Sequence, residues 1–161
     1  MSPPSSFLGL SAALTGFDEA ELQSTGMVDT YWETVEGAAG PVVSAELIAV
    51  ATSILSRSAG DPAELTDLIR TELLSTARLG PVARSLIQLW YLGSWVQLPD
   101  VWRDANGIWP GDSSRVVSAA AYEQSLVYRV MRDHPPGALQ PGYGSWAKAP
   151  LGPRAGSGEV A

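Results

Sequence analysis

Ser85–Arg103 reads SLIQLWYLGSWVQLPDVWR and places Trp90, Tyr91, Trp95 and Trp102 within a short span. Up to Leu92 the spacing predicts a helix. Beyond Gly93 it predicts a different element. Val82, Leu86, Ile87, Leu89 and Trp90 make the helical part apolar on more than one side, the pattern of a helix covered from both sides. Such a helix is either the centre of its own domain or covered by another chain. No acid, base and nucleophile stand among these rings in an arrangement suited to catalysis, so the stretch reads as a packing surface.

Working outward, glycine and proline punctuate a series of helices. Phe7, Leu10 and Leu14 share one face of a short helix over Ser6–Leu14, ended by Gly16. Asp18 with Glu21 is a capping box, predicting a helix over Glu19–Val35 that Gly26 weakens and Gly37 and Gly40 end. Pro41 suits a helix's first turn, and Leu47, Val50, Ala51, Ile54 and Leu55 mark that helix's inner side. Gly60 stops it. Asp61-Pro62, with Glu64, restarts another, with Leu65, Leu68, Ile69 and Leu73 inward. Gly80-Pro81 repeats the device. After the central stretch, Pro99, Gly107, Pro110 and Gly111 break any long element. A last helical or mixed segment is expected over Val116–Met131, its Val-Val start allowing a strand.

These patterns predict an all-α fold: a single domain of about five helices over 6–131, an extended Pro/Gly-rich arm over 132–150 and a disordered tail over 151–161. The short gaps favour antiparallel neighbours. No apolar run approaches the ~20 residues of a membrane span, and no direct membrane span is expected. The start shows neither a basic leader region nor a twin arginine. As it stands the chain is expected in the cytoplasm, or in the periplasm if a partner carries it there or a leader was removed.

Composition narrows the function. The 161 residues include no cysteine, which excludes disulfides, thiolate chemistry and cysteine metal sites. Net charge is −7, with 17 acidic and 10 basic residues and no basic run, so a nucleic-acid partner is not expected. Only 17% of residues are charged, below the roughly 25% of ordinary soluble domains, as suits a subunit that hides part of its surface or, equally, a compact monomer.

The remaining chemical candidates are weak. Gly142-Tyr143-Gly144-Ser145-Trp146-Ala147 matches G-x-G-x-x-A, but the dinucleotide fingerprint needs a strand before it and a helix after it. Here it sits in a Pro/Gly tail. His134, the one histidine, lies between Asp133 and Pro135, with no nucleophile motif to serve. Asp100, Asp104 and Asp112 lack Ca²⁺-loop spacing and read as solvated or capping groups. No catalytic, cofactor-binding or metal residue is assigned.

The aromatics are the stronger signal. Nine of thirteen lie in Trp90–Trp146, among them Trp109, Tyr122, Tyr128, Tyr143 and Trp146. One reading is an uneven core. The other is a protein-binding face, since Trp and Tyr supply large rigid area with one polar handle. A Pro/Gly arm carrying Tyr143 and Trp146 fits the second, lying extended on a partner.

Four segments in order carry a resemblance: F-L-x-L-S-x-x-L-T-G (Phe7–Gly16), L-W-Y-L-G (Leu89–Gly93), A-Y-E-Q-S-L-V-Y (Ala121–Tyr128) and P-P-G-A-x-Q-P-G-Y-G-x-W-A-x-x-P (Pro135–Pro150). Together they resemble the small subunit of membrane-bound FAD-dependent sugar and sugar-alcohol dehydrogenases, the D-sorbitol and fructose dehydrogenase type. The resemblance implies a chain without cofactor or activity of its own. FAD would sit in a large catalytic partner of the glucose–methanol–choline type, and a cytochrome c subunit would take the electrons. The small subunit would support the partner's folding, stability and export. As partner-binding or family-signature positions it marks Trp90, Tyr91, Gly93, Tyr122, Leu126, Tyr128, Gly142, Trp146 and Pro150. Trp95 and Tyr143 join them from the aromatic pattern. The alternative is a free-standing helical scaffold or adaptor unrelated to oxidoreductases.

Overall fold

The capping chemistry places the first elements. Helix α1 (Ser5–Thr15) ends at Gly16 in the left-handed conformation, a region open to glycine without steric cost. Asp18 and Glu21 form the reciprocal capping box of α2 (Glu19–Ser24). Gly26, at φ 69°, then breaks the chain. The single helix expected over Glu19–Val35 is therefore two, because a residue with positive φ cannot continue a right-handed turn. The next helical run, α3 (Val28–Ser58), is interrupted at Gly40, whose φ of 79° and ψ of 161° are not helical, and restarts at Pro41, so it is two helices joined across a kink where Gly40 and Pro41 were expected to separate them.

Asp61 caps α4 (Pro62–Leu68) by accepting from the amides of Ala63 and Glu64, and α4 widens into a π-helical turn over Ile69–Leu74. Helix α5 (Gly80–Leu92) ends at Gly93, again left-handed. There follow β1 (Ser94–Trp95), α6 (Asp100–Asn106), β2 (Arg115–Val116), α7 (Ala119–Glu123) and α8 (Leu126–Met131). The helical or mixed segment expected over Val116–Met131 is thus mixed, with a strand end at Val116 followed by two short helices. Ser118 caps α7, and Ser125 separates it from α8. The described residues hold more helices than the about five expected, because the breaks at Gly26 and before Leu126 add short ones. The strands pair antiparallel, Ser94 opposite Val116 and Trp95 opposite Arg115.

The protein, as a computed structural model describing residues 3–132, is mostly helical, a single all-α domain with that one small ladder. The arm from residue 133 and the tail expected beyond it lie outside the described residues.

Helix α5 is the centre. It packs on α1, α3, the π-helical turn, β1 and α8. Phe7, Leu10, Leu47, Ile54, Leu73, Leu86, Leu89 and Trp90 are fully buried around it. Each such side chain contributes about 1.5–3 kcal/mol through burial. By length and composition alone α3 is long and apolar enough to cross a membrane, with a mean hydropathy of 1.7 over 18 residues, a test that the buried core helix of a folded domain also passes. In this fold 44% of that stretch is buried inside the chain, and the helix bends at Gly40.

Candidate interaction face

After Gly93 the chain turns back along α5. Two contacts set the direction. The Ser85 hydroxyl donates to the Val96 carbonyl at 3.1 Å, and Trp102 Nε1 donates to the Arg78 carbonyl at 2.6 Å. Rising residue numbers in the return segment meet falling numbers at the helix. Gly93 makes the reversal possible twice over. It holds a φ of 65°, and a Cβ there would run into the backbone of Ala121 and Tyr122 in α7.

The return segment has two sides. Trp95, Leu98 and Trp102 turn inward and are buried. Val96 and Val101 stay exposed, at 38% and 82%, together with Pro99. Leu92 at the end of α5 (48%) and Val116, paired opposite Ser94 (55%), extend this apolar row. At its far end a groove of about 420 Å³ opens between α6 and the start of α5, walled by Ala77, Pro81, Pro99, Val101, Trp102 and Ala105.

One buried acid ties the inner side together. Asp112 is only 4% exposed. Its Oδ1 accepts from Trp95 Nε1 at 3.0 Å and from the Leu98 amide at 2.9 Å. Its Oδ2 lies 3.5 Å from Arg103 Nε, within ion-pair range but without hydrogen-bond geometry. Arg103 also donates to Asp100 at 3.1 Å. Asp112 therefore departs from the solvated or capping role expected for it. The Trp95 N–H and the Leu98 amide are both buried donors, and an anion held by them is the arrangement that leaves neither unpaired. Asp100 and Asp104 are exposed, as expected.

The marked positions fall into distinct places. Of the two readings open for the rings, core or protein-binding face, Trp90 and Trp95 take the first and lie buried in the core, Trp90 edge-on to Tyr31 at 4.7 Å. Tyr91 is half-buried, packs edge-on to Phe17, and its hydroxyl donates to the Thr15 carbonyl at 2.8 Å. Leu126 is buried, and half-buried Tyr122 and Tyr128 meet edge to face at 5.8 Å. The segments Phe7–Gly16, Leu89–Gly93 and Ala121–Tyr128 thus meet around one end of α5. Gly142, Tyr143, Trp146 and Pro150, with His134, lie outside the described residues.

A second joint was hidden in the sequence. Trp109 lies against Gly40 so closely that a Cβ there would enter its ring, and Gly111 packs on Gly37. The glycines were visible as helix punctuation, but nothing local to them names Trp109 as the neighbour. Burial raises the Tyr31 hydroxyl above the ordinary tyrosine range, and among the described residues that hydroxyl has no hydrogen-bond partner. Among the described residues no group of three or more His, Asp or Glu is placed to hold a metal ion.

The geometry defines a helical packing domain with an apolar outer row. No protein-family model, curated protein or solved structure matches the chain.

Proposed function

We propose that this chain is the noncatalytic small subunit of an FAD-dependent dehydrogenase complex of the glucose–methanol–choline type, acting on a sugar, a sugar alcohol or a glycoside. It binds the catalytic flavoprotein and holds it in its flavin-competent fold. The support from sequence is the ordered resemblance from Phe7 to Pro150. The observation that carries it is the row Leu92, Val96, Pro99, Val101 and Val116, left exposed on a segment whose other side is packed with tryptophan. Exposed apolar residues in continuous rows mark surfaces that another chain covers. Binding only the folded partner stabilises it by mass action. A cytochrome c subunit would accept the electrons, and FAD would reside in the partner.

The test is expression of a large flavoprotein subunit of the glucose–methanol–choline type with and without this chain, followed by size exclusion read at flavin wavelengths. Co-elution with a yellow partner, and loss of soluble flavoprotein when this chain is omitted, are the expected results. A stable colourless monomer that leaves the flavoprotein unaffected would favour the free-standing scaffold instead.

A further inference from the structure

The loop between α6 and β2 is held from two sides that belong to different parts of the fold. From Gly107 to Val116 only Asp112 is fully buried, with Trp109 and Gly111 half-buried. A few specific contacts fix the loop, since it has no core of its own. On one side the Trp109 ring lies over Gly40, where a Cβ would enter it, and the Gly111 amide donates to the Gly37 carbonyl at 3.1 Å. Both partners stand at the kink of α3 or within a turn of it. On the other side Asp112 Oδ1 accepts from Trp95 Nε1 and from the Leu98 amide, and the Ser114 hydroxyl accepts from the Gln97 amide at 2.9 Å. These donors all belong to the segment that returns along α5.

The span between the two sides is short and closed on itself. The Asp112 amide donates to the Trp109 carbonyl at 2.9 Å, and the Ser113 amide donates to the Gly111 carbonyl at 3.1 Å, so the chain is locked in a tight turn. Arg115 reaches back to the Gly111 and Ser113 carbonyls at 2.7 Å and 3.2 Å. Gly111, which holds α3, and Asp112, which holds the return segment, are adjacent residues. Such a turn cannot stretch to keep one contact while giving up the other. Segments with few buried side chains and exposed hydrogen bonds are also the ones that open first in a folded domain. This loop has both features.

We propose that Trp109–Ser114 is a clasp through which the α3 kink and the return segment open and close as one unit, ahead of the rest of the domain. The coupling runs through a contiguous set of packed and hydrogen-bonded groups, and it acts equally in both directions. Val96 and Val101 lie on the outer side of the return segment, so a contact made on α3 governs how they are presented. The device belongs to the folded chain alone, and its test needs no partner.

The experiment is amide hydrogen exchange, followed by NMR on the full chain, in the wild type, Trp109→Ala and Ser114→Ala. Trp109→Ala removes the ring over Gly40 and leaves every hydrogen bond to the return segment in place. It is expected to speed exchange at least tenfold at the Gly111 amide and equally at the Leu98 and Gln97 amides on the far side. The Phe7 and Leu65 amides, bonded to the Pro4 and Asp61 carbonyls, are expected to change less than twofold. Ser114→Ala, at an exposed position, is expected to speed the Gly111 amide at least threefold from the other direction. If Trp109→Ala changes Gly111 but leaves Leu98 and Gln97 within twofold, the two contacts are independent and the clasp is wrong. A rise shared alike by Phe7 and Leu65 also overturns it, because the loop then opens only with the whole domain. Should Trp109→Ala fail to fold, Ser114→Ala decides: a response at Gly111 supports the clasp, and none overturns it.

Discussion

The amide of Gly111 donates to the carbonyl of Gly37 at 3.1 Å. In an uninterrupted helix that carbonyl would accept from residue 41, but Pro41 has no N–H to give. The loop after α6 supplies the missing donor, and the bend in α3 becomes a joint between distant parts of the chain. Gly40→Ala tests it. The substitution forces a side chain into positive φ and into the Trp109 ring together. A loss on the order of 3 kcal/mol is expected from the two effects, measured by urea unfolding. A loss under about 1 kcal/mol would mean that the joint yields freely.

Asp112 accepts from two buried donors and faces Arg103. Asp112→Ala leaves the Trp95 N–H and the Leu98 amide without their acceptor while Arg103 keeps Asp100, and a loss of about 3 kcal/mol is expected. Asp112→Asn keeps the acceptor at Oδ1 and forfeits only the charge, so about half that loss is expected. Equal losses in the two variants would show that the charge toward Arg103, rather than the two N–H bonds, carries the tie.

Tyr31 makes stability sensitive to alkali. Its hydroxyl is buried and its folded pKa is raised above the ordinary value of 10.0. Above that value the unfolded chain loses this proton while the folded chain keeps it. The folded state then binds more protons, and stability falls as pH rises. The contribution is intact below pH 10 and is lost progressively above it, with a slope of up to about 1.4 kcal/mol per pH unit. Tyr31→Phe removes both the unpaired hydroxyl and this slope. Its unfolding free energy at pH 7 is expected within about 1 kcal/mol of the wild type, with a flatter profile from pH 9.5 to 11. An unchanged alkaline slope in the variant would assign the effect to another group.

The capping residues offer a local test. Asp18 closes a reciprocal box with Glu21, at 2.7 Å and 3.1 Å. Asp61 accepts two amide bonds at the start of α4. Asp18→Ala and Asp61→Ala are each expected to cost about 1 kcal/mol. The two sites share no partner, so the double variant is expected to lose the sum within about 0.5 kcal/mol. A calorimetric series of the three chains checks both statements.

Short-range chemistry was legible in the residues themselves. Gly16 and Gly93 end helices, Asp18 and Asp61 begin them, and α5 has the all-round apolar character of a helix enclosed by its neighbours. These features depend on atoms within a turn or two of one another, so the sequence carries them directly. Gly40 with Pro41 was legible as the place where one helix stops and the next begins, while Gly26 was legible as a weak point but not as the full break it makes. What the residues near Gly40 did not name is its neighbour, Trp109 from a remote loop.

The same limit governs the face. The sequence determined by itself a helical chain with an aromatic-rich centre at Ser85–Arg103. Only the tertiary structure decided that Trp90, Trp95 and Trp102 turn inward while Val96 and Val101 stay outside, and that Asp112 is a buried acceptor instead of a loop acid. A ring's apolar area favours burial against its own chain and against a partner almost equally, so composition cannot choose between them. The choice is made by the return of the chain after Gly93, which brings the rings onto α5 and leaves the small aliphatic side chains facing away.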